Sequence, residues 1–436
     1  MNYDPYTDED PEYRNTPLAS PIPRPTRETC PPLQSHQHRS DPYQQNYPGH
    51  NSYHSASQIS STHSMHMDTS PNDLSNRQIA PQIEIQKQSA NFLSCGIPYE
   101  EGKSINGLKI VVGPIIEPDY NQFCNKDVVQ LLIDKKKELK NIPYEKFTSA
   151  RGKSNLYEKV GQSIFMNRSA SKLACLDALV NFTGVKRYDP VKDLAYGWGI
   201  TLTGDQDYDL DRFRQDTMVR ECFKPCYGAD GTGNLYKEEN IRHFANEVIK
   251  GTKNEGADFV TADGEHHLKQ LILCQIIAMF MTLKKNGDFV LKLFDVFTPF
   301  TAGMVWILYR HFEKICIIKP LPSRPANSER YIICRNLRER NPQIVNFLFE
   351  VNKKFNEIKS SSGGSQDVNE VVDFNEMSND EDFIDYLKMS NMKIAIKQSE
   401  ALDELLKYNS NPELRSPDQE EYRRLCFLEW GLPIEE

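Results

Sequence analysis

The stretch DFVTADGEHHLKQLILCQIIAMFMTLKKNGDFVLKLFDVFTP, residues 258–299, decides how this chain is read. Two short apolar runs, 258–263 and 288–294, flank a longer apolar segment over 267–285. Short apolar runs bounded by Gly and Asp read as buried strands, and the longer one between them as a helix. The first strand ends at Asp263-Gly264. The second carries Lys292 inside an otherwise apolar run. An ammonium buried in such a strand is costly unless it is paired or used.

Outward from this unit the pattern repeats. Downstream lie a helix over 299–313 and two strands, 314–320 and 330–335, joined by a loop that holds SRPANSE, 323–329. That connection is too short for a helical crossover, so the two strands form an antiparallel hairpin at or near a sheet edge. Upstream are a helix over 239–251, a strand leading into the Gly/Asp-rich loop GADGTGNLY, and a strand in AYGWGITLTG, 195–204. Further upstream FMNRSASKLACLDALVNF, 165–182, reads as a helix. Ala170, Leu173, Ala174 and Asp177 share one of its faces, and Lys172 lies near its first turns. A helix over 127–142 ends in Lys135, Lys136, Lys137 and Lys140, and a strand is expected over 106–113. Strands alternating with helices predict an α/β fold with a largely parallel sheet and helices on both faces. Ligands in such sheets sit at the carboxyl ends of strands, where Asp263 falls.

Composition sets the outer limits. The chain has 436 residues, a net charge of −9 and a hydrophobic content of 38%; its mean hydropathy is −0.62. Residues 1–90 are rich in Pro, Ser, Gln, Asn and Tyr and hold His36, His38, His50, His54, His63 and His66. Such a tail buries too little apolar surface to offset its ordering entropy, so it reads as low-complexity disorder. No global basic field marks a nucleic-acid binder, so any such site is a local patch. The ten cysteines are scattered with no CxxC pair, which reads as buried free thiols in a reducing compartment and not as zinc ligands or disulfides. His266 and His267 have no evident metal partner, and no metal is expected. The opening MNYDPYTDEDPEYR is polar and acidic, and the most apolar helix, 271–283, contains Gln275. A soluble intracellular protein is expected.

Four polar residues could carry chemistry: Lys172, Asp263, Lys292 and Glu329. Two lysines and two carboxylates form a charge-balanced cluster if they converge. One amine, disfavoured as a cation by the other, could then take a proton while the carboxylates orient both. The competing possibility is two unrelated structural ion pairs.

The blocks NRSASKLACLD, FVTADG, GDFVLKLFDVFTPF and SRPANSERY, with ARGKSNLYEKVG at 150–161, together resemble the FtsJ-like RNA ribose 2′-O-methyltransferases. Within that family they are most similar to the cap-specific group that modifies the first transcribed nucleotide of mRNA. The resemblance runs from about Asn106 to Glu357. It implies a Rossmann-like sheet, S-adenosylmethionine as methyl donor, capped mRNA as substrate and a nuclear location. It also makes the transcription machinery a candidate partner of the tail. It places the family's Lys-Asp-Lys-Glu tetrad on Lys172, Asp263, Lys292 and Glu329, with Lys292 as general base for the ribose 2′-hydroxyl. It puts Asn167, Asn234 and Leu235 beside the donor, and Lys136, Lys137, Lys140, Arg151 and Asn327 against the capped RNA. A lysine and arginine set suits a triphosphate bridge, because it pairs with phosphate without reading bases.

The family's first strand and Gly-rich donor loop have no counterpart here. NFTG, 181–184, runs into VKRYDPVKDL and on to the strand at 195, an internal deletion near 184–185. The expected consequence is a gap in the sheet, or strands 195–202 and 258–263 forced together. The domain reading is therefore a tail over 1–90 and an extension with the basic segment over 91–164. A methyltransferase domain over 165–357, an acidic linker over 358–381 and C-terminal helices over 382–436 follow. A second class of reading stays open, an RNA-binding or scaffold chain on the same fold that does not methylate.

Overall fold

The computed structural model describes residues 83–434 apart from 163, 164, 166, 185–194, 205, 206, 209, 211–221, 265–268 and 362–364. In chain order its elements are β1 (Leu93–Ser94), β2 (Leu108–Pro114), α1 (Lys126–Leu139), α2 (Tyr144–Ser154), α3 (Arg168–Val180), β3 (Gly197–Ile200) and β4 (Phe223–Cys226). Then come α4 (Glu238–Gly251), β5 (Ala257–Ala262), α5 (Lys269–Thr282), β6 (Leu283–Leu293), α6 (Pro299–His311), β7 (Phe312–Ile318) and β8 (Arg330–Leu337). The chain closes with α7 (Pro342–Ser361), β9 (Gln366–Val372), α8 (Glu381–Ser410) and α9 (Gln419–Glu429). His266, His267 and the VKRYDPVKDL segment lie outside the described residues.

The core is a five-stranded sheet in the order β1-β7-β8-β6-β5. β6 lies inside it and is buried on both faces from Gly287 to Leu293, which is why its sequence runs apolar without alternation. Phe289, Leu291 and Leu293 join the large core with α5, α6 and α7, while Val290 faces Leu176 of α3 with Cys316, Tyr331 and Ile333. Helices therefore cover both faces, as expected. α5 is apolar all round because the sheet and α4 and α7 enclose it. α6 begins with Pro299 after Thr298, whose side chain forms a reciprocal capping box with Thr301. Its Gly303 lets Val371 of β9 approach, since a Cβ there would lie 2.9 Å from Val371 Cγ2.

Three sequence expectations change. The sheet is mixed: β5–β6 is its parallel pair, and β6–β8, β8–β7 and β7–β1 are antiparallel. The parallel strands β3 and β4 pair with each other in a separate two-stranded sheet, and among the described residues β5 pairs with β6 alone. Of the two outcomes expected from the deletion, the interrupted sheet is the one found. The acidic stretch 358–381 is not a bare linker. α7 runs on to Ser361, and β9, whose Val368, Val371 and Val372 are buried in the main core, forms an antiparallel ribbon with β2. The segment just before 91 is also packed. Ile85 joins an apolar cluster, and Gln88 Nε2 donates to the Lys319 carbonyl at 2.8 Å.

The described cysteines are free thiols, buried except for half-buried Cys95. Among the described residues no helix is long and apolar enough to cross a membrane.

His311 closes α6 completely buried, with Nδ1 2.7 Å from the Ile307 carbonyl. Burial holds its pKa down at about 4. The unfolded chain takes up this proton near its ordinary pKa of about 6.5, and the folded chain does not. Stability therefore falls as pH drops from about 6.5 towards 4. We expect the thermal midpoint to fall steadily between pH 7 and pH 5, and His311→Gln to flatten that slope in calorimetry.

Candidate active site

The two lysines meet because two elements present them to the same face of the sheet. Side chains alternate along β6, so Lys292 points the same way as Val290. On α3, Lys172 and Leu176 are one turn apart on one stripe. Leu176 packs on Val290 and Tyr331, which brings Lys172 towards the carboxyl end of β6. The buried residues of α3 are Ser171, Lys172, Cys175 and Leu176. The face read from the sequence, Ala170, Leu173, Ala174 and Asp177, is the less buried one. The sheet selects the stripe that carries the lysine.

Lys172 Nζ lies 2.8 Å from Glu329 Oε1 and 2.9 Å from Oε2. Lys292 Nζ lies 2.8 Å from Asp263 Oδ1. Lys172 and Lys292 are each 5% exposed and Glu329 2%, so neither ion pair is a surface pair screened by water. Burial works against ionisation of Asp263. The charges of Lys292 and Lys172 outweigh it and hold the carboxyl below its ordinary value. The Lys172–Glu329 and Lys292–Asp263 pairs lie on the same face of the sheet, where Leu176 of α3 packs with Val290 and Tyr331.

Several supporting residues carried no sequence signal. Tyr331 faces Lys292 in the β6–β8 register, and its hydroxyl donates to Asp263 Oδ1 at 2.9 Å. Ser323 Oγ donates to Glu329 Oε1 at 2.9 Å. Arg324 and Arg168 both pair with half-buried Glu158, at 2.9 and 3.4 Å. Arg330 is fully buried and reaches Asp295 at 2.9 Å and Asn391 of α8 at 2.7 Å. Tyr331–Asp263, Arg324–Glu158 and Arg330–Asn391 join residues far apart in the chain, so only the tertiary structure reveals them.

The other expected site residues are distributed. Asn167 is the N-cap of α3, its Oδ1 accepting from the Ala170 amide at 3.0 Å. Asn234 Oδ1 accepts from the Tyr236 amide at 2.9 Å, and Leu235 packs against the main core. Lys136, Lys137 and Lys140 lie at the end of α1, where Lys137 pairs with Asp134 at 2.7 Å. Arg151 lies in the last turn of α2 over the Phe147 ring, 5.5 Å from its centroid. Asn327 precedes Glu329 by two residues and is tied to it through the Glu329 amide, at 3.2 Å. Of the expected binding residues, Asn327 is the one in direct contact with the four-residue group.

Comparison with known proteins bears on this geometry. A family model described as FtsJ-like methyltransferase matches residues 165–337. A relative from Dictyostelium discoideum named cap-specific mRNA (nucleoside-2′-O-)-methyltransferase 1 is 33% identical over 407 residues, covering 80% of this chain and 52% of the relative. Proteins of the same name from Homo sapiens and Drosophila melanogaster are 32% and 33% identical, each covering 44% of its length and 74% and 72% of this chain. The chain spans about half the length of the curated relatives it matches.

Removing one member of a buried ion pair leaves an uncompensated charge, typically costing about 3–5 kcal/mol, while removing both costs much less. We expect Lys172→Met to lower stability by about 3 kcal/mol and Lys172→Met/Glu329→Gln to recover a large part of that loss in denaturant titrations. Additive losses would mean that the two side chains do not share one charge balance.

Proposed function

We propose that this chain, whose residues 165–337 match an FtsJ-like methyltransferase model, methylates the ribose 2′-oxygen of the first transcribed nucleotide of capped mRNA. One observation carries the proposal: the buried pairs Lys172–Glu329 and Lys292–Asp263 lie on one face of the sheet at the carboxyl ends of β5 and β6. The names of the relatives supply the substrate class.

The described residues fit S-adenosylmethionine at its charged, reacting end. Asp263, buried beside Lys292, is an acceptor suited to a cationic group or a hydroxyl. Asn167, with its oxygen committed to the helix cap, offers its amide nitrogen. Asn234 and Leu235 follow the carboxyl end of β4. When bound, S-adenosylmethionine supplies an electrophilic methyl group.

The chain's own residues handle the hydroxyl. Lys292, as the neutral amine, accepts the 2′-hydroxyl proton as the oxygen attacks. Asp263, 2.8 Å from Lys292 Nζ, keeps the amine aimed. Lys172, fixed by both oxygens of Glu329, donates to the same oxygen and sets its direction. Lys136, Lys137, Lys140, Arg151 and Asn327 contact the cap and its phosphates in this reading. A nuclear location and a contact between the tail and the transcription machinery belong to the same proposal. Imaging of the tagged chain checks the first.

Lys292→Ala is expected to lower kcat on capped RNA by roughly 10²–10⁴-fold, the usual contribution of a positioned acid–base group. Binding of a capped oligonucleotide, read by fluorescence anisotropy, should change little. Loss of binding together with activity would show that Lys292 is structural instead.

A further inference from the structure

The loop that carries Asn234 is held from outside by a set of three carboxamides. Asn352 Nδ2 and Asn356 Nδ2, one turn apart on α7, both donate to the Tyr236 carbonyl, at 3.0 and 3.2 Å. Their Oδ1 atoms both accept from Gln270 Nε2 of α5, each at 2.8 Å. The Cys274 thiol, one turn further along α5, also donates to Asn352 Oδ1, at 3.3 Å. Gln270, Asn352 and Cys274 are buried, while Asn356 lies at the surface.

One group dictates the set. A carbonyl can only accept, so both asparagines must turn their nitrogens to Tyr236 and their oxygens to Gln270. Gln270 must then present its own nitrogen to both. Tyr236 passes the constraint on, because its amide donates to Asn234 Oδ1 at 2.9 Å. The Asn234 side chain is thus aimed by one peptide, and that peptide is anchored on α7. Asn352 and Asn356 both lie beyond the residues 165–337 that match the family model. Gln270 stands in the first turn of α5, the helix that follows Asp263 in the chain.

We infer that Asn352, Asn356 and Gln270 are positioning residues for S-adenosylmethionine: they set the Tyr236 peptide and, through it, the orientation of Asn234. The inference rests on the proposed function and deepens it, because it gives α7 a share in binding the methyl donor. The clamp acts on the Asn234 loop, so the expected signature of its loss is confined to that ligand and spares capped RNA.

The test uses the full chain. It reads S-adenosylmethionine binding by calorimetry, capped-oligonucleotide binding by anisotropy, and hydrogen exchange of the Asn234 and Tyr236 amides without ligand. Gln270→Met removes the group that orients both asparagines. It should weaken S-adenosylmethionine binding about tenfold and speed exchange at the two amides about tenfold, with capped-RNA binding unchanged. Asn356→Ala should give the same pattern at about threefold, because Asn352 still holds the carbonyl. Wild-type affinity and exchange in both variants, whatever their thermal midpoints, would overturn the inference. So would a parallel loss of S-adenosylmethionine and RNA binding in the folded variants. If Gln270→Met does not fold, Asn356→Ala decides alone, since its side chain lies at the surface. A wild-type chain that binds capped RNA but no S-adenosylmethionine would sink the proposed function instead. Amide exchange in the two variants would still decide whether the clamp holds Asn234.

Discussion

Two ammonium groups buried on one face of a sheet constrain everything around them. Each needs a carboxylate, and each carboxylate must arrive from a different part of the chain. Asp263 comes from the end of β5 and Glu329 from the residue before β8. Lys172 comes from a helix that crosses the same face, and Lys292 from the strand between β5 and β8. An uncompensated charge in that position would cost several kcal/mol, a large part of a typical domain's stability of about 5–15 kcal/mol. The ion pairs therefore tie α3 to the start of β8 and β6 to the end of β5, and the same two constraints assemble the site.

The polar groups around the tetrad extend that constraint to the ends of the chain. Arg330 points away from the tetrad to Asp295 and to Asn391, and Asn391 also donates to the carbonyls of Phe123 and Val296. Asn391 and Gln398, two turns apart on α8, hold β8 and the loop before it. Residues 381–410 are thus part of the site's scaffold and more than a cover. The N-terminal side contributes as well, through Gln88 on Lys319 and through β1 on the outer edge of β7. Buried polar networks of this kind set geometry more than they add stability.

Among the described residues the sheet ends at β5. Phe182, just beyond α3, stacks on Phe259 with ring centroids 5.0 Å apart and covers part of that strand. The β3–β4 pair keeps its own parallel hydrogen bonds, and Gly233 follows it in a conformation where any Cβ would strike the Thr201 carbonyl. The two buried ion pairs and the loop that carries Asn234 are each locally complete. Among the described residues no strand hydrogen-bonds to both β5 and β3.

The sequence alone determined the strand–helix–strand unit around Lys292, the order of the elements and the identity of the four polar residues. Apolar periodicity and residue type are local properties, and a lysine in a buried strand stands out against them. The mixed character of the sheet, the strand inside the acidic stretch 358–381 and the buried stripe of α3 were decided only by tertiary packing. So were the roles of Tyr331 and Ser323. Each depends on which residue lies opposite which across a register, or on which helix stripe the sheet selects. Those choices minimise unpaired buried charge over the whole fold, a condition that no single stretch of sequence contains.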